Sequence, residues 1–443
     1  MEMVLIIDNL VKLRNKVFSF DLVRDTINTT LWSIAGKAVG FLIPFFIAAW
    51  FGISSQTDAF FFGYSLIMLL VTIFSPVLES IIVPFIAETR IKGENVGLFV
   101  GNVLGVSAIG LFLLSLLFLL FIKPILSVFT NFSPSGLNLV YLILIESSPL
   151  VILLVWTSIL AGTLNAYKVF SIPAISPAFR AIVTLIFIFL FKKNLGVHAI
   201  ALGYVVGEIF RLFILFTLLK RLNIFHLKLS VSWGAKIAGF LKTSSYQIMG
   251  MSAVAFTSII NRAMASWLGL GKVSLLEYAE RLYLIPENLL ATGLIVTLLS
   301  HWSERYCSDG EERLKRDVWK AVKVVGIGSL LLTTMFLWIK NFLVSSVYRY
   351  GQFPQEQIAN VQIVFGFYLL GLAPHFLTLV YVRAFLTKKD TKVILLTAFL
   401  SFIATIVFNL IFMRLMGISG IALTNSIVAF LSLGILCFLF YRK

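Results

Sequence analysis

The chain has 443 residues, of which 59% are hydrophobic and only 13% are charged. Its mean hydropathy of +0.99 is too high for a soluble protein, which excludes the soluble enzyme folds. The 36 Lys and Arg residues outnumber the 20 Asp and Glu residues, an excess that would suggest nucleic acid in a soluble protein. Here the basic residues lie in short loops between apolar stretches, so we expect membrane lipids, and no nucleic acid, as their partners.

Twelve stretches of the sequence have the roughly 20 apolar residues that a helix needs to cross a bilayer. We therefore predict an all-α polytopic membrane protein. Residues 1–28 precede the first span as an interfacial or cytoplasmic segment without a cleavage site. The charged stretch 303–320 is expected to form a solvated helix. The predicted spans lie near 29–51, 59–87, 96–122, 137–163, 172–191, 197–219, 238–264, 273–301, 321–339, 358–386, 392–413 and 417–441.

The basic residues are unevenly divided between the two sides of the membrane. The connections on the side of the N-terminus hold 20 Lys and Arg residues, and those on the other side hold 7. Because basic loops stay in the cytoplasm, we predict that both termini are cytoplasmic.

An internal repeat becomes visible when residue numbers are shifted by about 217 to 221. The segment LGVHAIAL (195–202) is similar to MGISGIAL (416–423), and AAWFG (48–52) is similar to ASWLG (265–269). Because six is an even number of crossings, both halves enter the membrane from the same side. This arrangement is typical of transporters built from parallel repeats. Chance similarity between apolar helices is the alternative. The predicted domains are a segment 1–28, a first six-helix bundle 29–222, a linker 223–237 and a second bundle 238–443.

The sequence contains no pattern of residues typical of an enzyme or a metal site. The four histidines are dispersed, and no HExxH, P-loop or GxSxG motif occurs. Cys307 lies in a charged stretch and Cys437 in the last apolar stretch, so a disulfide is not expected. We therefore predict a protein that is not an enzyme and has no metal or other cofactor.

Five segments resemble the MurJ/MviN family of lipid II flippases, within the superfamily of multidrug, oligosaccharidyl-lipid and polysaccharide exporters. They cover nearly the whole chain in order: TDAFF (57–61), GTLNAYKVFSIPAISP (162–177), EYAERLYLIP (277–286), RYGQF (349–353) and RAFLTKKDTK (383–392). The resemblance implies two six-helix bundles around a central cavity. It also implies a flippase of the bacterial cytoplasmic membrane that carries an undecaprenyl-diphosphate-linked saccharide to the outer leaflet by alternating access.

The sequence departs from the lipid II members of that family at several positions. Where they carry arginines in spans 1 and 2, this chain has Lys37, Ile43, Val71 and Thr72. Those members also typically add two helices after span 12. Twelve-span flippases of the Wzx type, which move O-antigen or capsule units, are therefore an alternative, as is a cation-coupled drug antiporter of the same superfamily. We expect the protein to act as a monomer.

Basic residues inside predicted spans are candidate ligands for a diphosphate, because intramembrane charges are costly and arginine offers a bidentate fork to phosphate. Arg281 is the first candidate, because the resemblance aligns it with an arginine of the family that faces the cavity. Its alternative role is an ion pair with Glu277 on the same helical face. The further candidates are Lys37, Arg262 and Arg180. Arg211 is instead expected to form an ion pair with Glu208.

Acidic residues are candidates for a gate or for coupling to the membrane potential, Na⁺ or H⁺. Asp58 is expected first to cap its own helix and second to act in a gate. Glu79 and Glu146 have no basic residue at helical spacing, so each could bind an ion, be protonated or have no role in transport. Glu280 completes this group.

Overall fold

In a computed structural model of the protein, the described residues are 36, 38–221, 230–232, 234–388 and 390–442. These ranges contain thirteen α-helices and no β-strand, which confirms the all-α prediction. The predicted segment 1–28 and Lys37 lie outside the described residues. The helices are α1 (Ala38–Phe51), α2 (Ser55–Ile91), α3 (Val96–Phe129), α4 (Pro134–Ser147), α5 (Pro149–Ala166), α6 (Ser171–Leu195), α7 (His198–Arg221), α8 (Ala235–Ser266), α9 (Lys272–Tyr348), α10 (Gln355–Leu370), α11 (Leu372–Thr387), α12 (Thr391–Met416) and α13 (Ile418–Arg442).

Within the described ranges, nine helical segments are long and apolar enough to cross a membrane. They include the interrupted pairs α4–α5 and α10–α11, and the second part of α9 from Gly310 to Tyr348. The remaining predicted spans correspond to α1, α8 and the first part of α9, so the architecture is consistent with twelve crossings. The stretch 303–320 is helical but is not a separate element. Within α9, two helices meet in this stretch at a kink, where the backbone of Gly310 is not helical (φ 74°, ψ −165°).

Polar residues at the turns set where several helices begin. Ser54 caps α2, and its hydroxyl accepts the Thr57 N–H while the Thr57 hydroxyl accepts the Ser54 N–H. Asn95 caps α3 through the N–H of Leu98. Such side chains replace the hydrogen bonds that the first turn of a helix lacks, so the spans begin at defined residues.

The two halves of the chain share their order of elements and their turns. Gly196 ends α6 with φ 56° and ψ −135°, and Gly417 ends α12 with φ 60° and ψ −135°. Only glycine adopts this conformation without strain. The fourth crossing of each half is also interrupted, at Ser148 between α4 and α5 and at Gly371 between α10 and α11. The predicted repeat is therefore present in the backbone.

We call α1–α7 the first lobe and α8–α13 the second lobe. Their exact boundaries stay a prediction, because residues 222–229 between them are not described. The lobes meet mainly along α2, which packs against α8 and α9. We call the end of the bundle at which α13 terminates the near side and the opposite end the far side. On the near side, Lys236 of α8 forms an ion pair of 2.5 Å with Glu94, and Phe240 packs against Phe85.

Candidate functional site

On the far side, Asp58 of α2 binds the beginning of α9 in the other lobe. Its carboxylate accepts the N–H of Gly271, the N–H of Ser274 at 2.7 Å and the Ser274 hydroxyl. The Ser274 hydroxyl oxygen also lies 2.9 Å from the Thr57 hydroxyl oxygen. We call these four residues the far-side latch. Because α9 begins at a glycine without a capping side chain, Asp58 supplies both the cap and a negative charge at the positive end of the helix dipole.

The expectation that Asp58 caps its own helix is therefore wrong. Ser54 caps α2, and the carboxylate of Asp58 points at α9 instead. Capping rules refer to neighbours in the sequence, whereas these partners are 213 and 216 residues apart.

A buried tyrosine pair extends the contact between the lobes below the latch. The Tyr278 hydroxyl donates to the carbonyl of Gly52 at 2.9 Å, and the Tyr348 hydroxyl donates to the carbonyl of Tyr278 at 2.9 Å. The Gln352 N–H also donates to the carbonyl of Ala49 at 2.8 Å. The far side is therefore closed. Sequence reasoning missed both tyrosines, although Tyr278 lies inside the quoted motif EYAERLYLIP.

Four charged residues of α8 and α9 form a network in the second lobe. Glu277 is 3% exposed and lies between two arginines. Its Oε1 accepts from Arg281 Nε at 2.8 Å and Nη2 at 2.7 Å, and its Oε2 accepts from Arg262 Nε at 3.0 Å. Glu280 binds Arg262 at 3.0 Å. The alternative pair between Arg281 and Glu277 is thus present, but Glu277 has a second cation.

The two arginines of this network differ in exposure. Arg262 is 8% exposed, and its nitrogens donate to Glu277, Glu280 and Ser258. In this conformation these groups occupy its donors, and its role as a ligand of the diphosphate stays a prediction. Arg281 is 31% exposed, and its hydrogen bonds to Glu277 involve Nε and Nη2. Arg281 is therefore the member that can reach a ligand.

A second network lies in the first lobe around the buried carboxylate of Glu208. Arg211 binds it at 3.1 Å, as predicted, and donates to the Ser176 hydroxyl at 2.9 Å. Arg180 lies 3.4 Å from the other carboxylate oxygen, and the Thr157 hydroxyl donates at 2.6 Å. Arg180 is 22% exposed, and among the described atoms its Nε has no hydrogen-bond partner. The hydrogen bond of Arg180 to Glu208 is therefore long, and the Nε that lacks a partner among the described atoms is buried.

The two partly exposed arginines come from opposite lobes and lie near the same pair of aromatic rings. Tyr64 of α2 and Tyr204 of α7 stack with their ring centroids 4.7 Å apart. Arg180 and Arg281 are both close enough to act electrostatically on each tyrosine. The structure thus brings together two of the four predicted cations, and Lys37 lies outside the described residues.

The acidic candidates have partners that sequence spacing did not reveal. Glu146 lies 2.7 Å from His198 Nδ1, because α4 and the beginning of α7 are adjacent. Within the described part of the chain, its other oxygen is buried without a hydrogen-bond partner. Glu79 interacts electrostatically with Arg211. No group of three or more His, Cys, Asp or Glu side chains that could hold a metal ion occurs among the residues described.

Comparisons with known proteins agree with this architecture. The family model described as Lipid II flippase MurJ matches residues 47–443. A probable lipid II flippase MurJ of Buchnera aphidicola subsp. Acyrthosiphon pisum is 25% identical over 433 residues, which are 96% of this chain and 84% of the relative. The lipid II flippase MurJ of Burkholderia cenocepacia is 26% identical over 302 residues, or 67% of this chain and 58% of the relative.

Two solved structures show the same fold. A lipid II flippase MurJ in an inward closed conformation has a TM-score of 0.79 at 21% identity, covering 95% of this chain and 88% of its own. An inward-facing multidrug resistance transporter of the MATE family has a TM-score of 0.75 at 13% identity, covering 94% of each chain.

Proposed function

Because the chain belongs to the MurJ lipid II flippase family and is a multi-pass protein of the bacterial inner membrane, we propose that it moves a lipid-linked precursor of the cell wall. The proposed cargo is an undecaprenyl-diphosphate-linked saccharide of the lipid II kind, carried from the inner to the outer leaflet by alternating access. The single observation that carries this proposal is the family match over residues 47–443.

Arg281 and Arg180 are the proposed ligands of the diphosphate. A diphosphate gives up its hydration only if fixed donors replace the lost water, and guanidinium groups supply charge and paired donors together. The support is their partial exposure and their common position beside Tyr64 and Tyr204. Lys37 stays a proposed third cation by its position in the sequence.

The antiporter alternative has weaker support. The likeness to the MATE transporter is at 13% identity and concerns the fold alone. The family match and the curated relatives instead favour a flippase of lipid-linked precursors.

Moving a charged lipid against its preferred orientation in the membrane requires energy. We propose that the protein couples this movement to the membrane potential, Na⁺ or H⁺. Glu146 is a candidate, because it faces a histidine and keeps a carboxylate oxygen without a hydrogen-bond partner among the described atoms. Glu79 and Glu280 are further candidates. We propose a monomer as the functional unit.

A translocation assay tests the proposed function directly. The purified protein is placed in vesicles with fluorescently labelled lipid II, and accessibility of the label to an added quencher is followed over time. We expect the protein to accelerate exchange between leaflets. Equal rates with and without protein, together with export of cationic drugs, would support the antiporter instead.

The proposed orientation predicts which loops are accessible from outside. In a variant with both cysteines replaced by serine, Lys92→Cys places a label on the near side and Ser135→Cys places one at the beginning of α4 on the far side. We expect an impermeant maleimide to label Ser135→Cys in intact spheroplasts and Lys92→Cys only after permeabilisation. The reverse pattern would show that the near side is external.

We further propose that the far-side latch is a gate that must open for release. Asp58→Asn keeps the size of the side chain but removes the charge that accepts hydrogen bonds from Gly271 and Ser274. Hydrogen bonds to a charged group contribute about 1.5 to 3 kcal/mol each, so far-side opening should become roughly 10-fold more frequent.

Labelling of a cysteine at the buried position 57 measures that opening. Thr57→Cys alone is compared with Thr57→Cys combined with Asp58→Asn, so that only Asp58 differs. We expect faster labelling of the double variant from the far side. Asp390→Asn, which changes the residue before α12 on the near side, serves as the matched control. Equal labelling with and without Asp58 would contradict the gate.

A further inference from the structure

Two tyrosine rings of the first lobe are held in place by stacking. Tyr64 of α2 stacks on Phe60, one turn earlier in the same helix, with ring centroids 5.6 Å apart and 20° between the ring planes. It also stacks on Tyr204 of α7, with centroids 4.7 Å apart and 24° between the planes. Phe60 is 1% exposed and Tyr204 is 8% exposed. Stacked and buried rings have little rotamer freedom, so their hydroxyl groups are positioned before any ligand arrives.

The hydroxyl groups of this tyrosine pair are not used by the fold. Among the atoms that the structure describes, neither the Tyr64 nor the Tyr204 hydroxyl has a hydrogen-bond partner, and neither is fully enclosed. The buried tyrosines of the far side differ, because Tyr278 and Tyr348 each donate to a backbone carbonyl at 2.9 Å. A phenol hydroxyl among membrane helices normally finds a partner, since lipid offers none. The hydroxyls of Tyr64 and Tyr204 are therefore available to a ligand.

The exposed charge around the tyrosine pair is positive. Arg180 and Arg281 are 22% and 31% exposed, and both act electrostatically on both tyrosines. The carboxylates that pair with these arginines are buried instead, because Glu208 is 0% exposed and Glu277 is 3% exposed. Positive charge thus reaches the surface of the site while the negative charge stays inside each lobe. The arrangement favours an anion as the ligand.

Neutral hydroxyl donors complement two arginines in the recognition of a diphosphate. The oxygens of a diphosphate offer more lone pairs than two guanidinium groups can satisfy, and a phenol donates one further hydrogen bond without adding charge. A phenol is also neutral at physiological pH. Further arginines or lysines in its place would leave unpaired charges inside the membrane whenever the site is empty, which is costly.

We propose that the hydroxyls of Tyr64 and Tyr204 donate hydrogen bonds to the diphosphate of the cargo and position it between Arg180 and Arg281. The inference rests on the proposed function and adds two ligands to its binding site. Both tyrosines and Arg180 belong to the first lobe, and Arg281 belongs to the second. A diphosphate bound in this way contacts both lobes at once.

Binding of undecaprenyl diphosphate, which has no saccharide, tests the two hydroxyls. A ligand that binds the folded state raises the midpoint of thermal denaturation, so the purified full-length protein is titrated with this lipid in detergent. Tyr64→Phe and Tyr204→Phe keep the stacked rings and remove only the hydroxyl. We expect each variant to need a roughly 10-fold higher lipid concentration for half of the shift.

Tyr350→Phe is the matched control for these variants. Tyr350 is 68% exposed in the turn after α9, so removing its hydroxyl should leave binding as in wild type. Without lipid, the denaturation midpoints of Tyr64→Phe and Tyr204→Phe should stay close to that of wild type, because no hydrogen bond within the described structure is lost. Unchanged lipid binding in both variants would overturn the proposal and leave the rings a packing role.

The same titration with lipid II separates the phosphates from the saccharide as the partner of the hydroxyls. If the hydroxyls bind the diphosphate, each variant should lose affinity for lipid II and for undecaprenyl diphosphate by the same factor. A loss for lipid II alone would show that the tyrosines contact the saccharide, and it would overturn the proposal.

Translocation of fluorescently labelled lipid II in vesicles tests the role of this binding in transport. In both phenylalanine variants we expect the cargo concentration for half-maximal rate to rise roughly 10-fold, with the maximal rate within about twofold of wild type. A lower maximal rate at an unchanged half-maximal concentration would reject a role in binding. If wild type binds undecaprenyl diphosphate but does not translocate lipid II, the proposed function fails and the binding comparison still decides this inference. If wild type translocates lipid II without binding undecaprenyl diphosphate, this inference alone fails.

Discussion

Replacing Arg281 with alanine should slow translocation by roughly 10- to 100-fold or more while the protein remains folded and inserted. The structure explains why folding survives. Glu277, which loses Arg281, keeps its hydrogen bonds to Arg262 and is not left as an isolated buried charge. The substrate, in contrast, would lose a partly exposed guanidinium. Loss of one or two charge-assisted hydrogen bonds to the diphosphate corresponds to a fall of roughly 10- to 100-fold or more in rate.

Arg281→Lys should recover part of the activity, because it keeps the charge without the bidentate geometry. Arg414→Ala, at an exposed position near the far-side end of α12, is the matched control and should translocate normally. Translocation in vesicles and thermal stability in detergent are measured for all variants. Recovered translocation in Arg281→Ala combined with Glu277→Gln would show that Arg281 acts only through the ion pair.

Replacing Glu277 with alanine should cause the largest loss of stability in this network. Its carboxylate is 3% exposed and compensates both Arg262 and Arg281. Without it, Arg262 keeps Glu280, and Arg281 loses the carboxylate that accepts from its Nε and Nη2. Removing one partner of a buried ion pair costs about 3 to 5 kcal/mol, so expression and the midpoint of thermal denaturation should both fall markedly.

Glu280→Ala is the informative comparison for this prediction. Glu280 also binds Arg262, but it is 31% exposed, and Arg262 keeps Glu277 after the change. Its stability should therefore fall much less, because the exposed charge is partly screened by solvent. Equal losses for the two variants would mean that burial does not determine the contribution of these carboxylates.

The lengths of the apolar stretches were sufficient to predict an all-α membrane protein, whereas its two bundles around a central cavity followed from the family resemblance. Apolar stretches of about 20 residues have few structural alternatives in a membrane, since each must satisfy its backbone within one helix. The glycines of the repeat were informative for a related reason. Gly196 and Gly417 adopt the same left-handed turn, so the similarity of their segments reflected a shared backbone.

The partners of the charged residues could be predicted only where they lie on one helix. Glu277 with Arg281, and Glu208 with Arg211, follow helical spacing and are present. Contacts between helices, such as Arg262 with Glu277 or Glu146 with His198, depend on packing angles that spacing does not contain. The burial of Arg262 likewise results from its contacts with α9, which helical spacing within α8 does not contain.

The proposed closure by Asp58 determines how rarely the far side would open in idle copies of the protein. In the proposed gate, a carboxylate that accepts three hydrogen bonds from Gly271 and Ser274 would hold the far side shut by at least about 4 kcal/mol. At that value only about one molecule in a thousand would open toward the far side at rest. Idle copies of the protein would then stay shut on the far side, and opening would become frequent only when cargo binding opposes these hydrogen bonds together with those from Tyr278 to Gly52 and from Gln352 to Ala49.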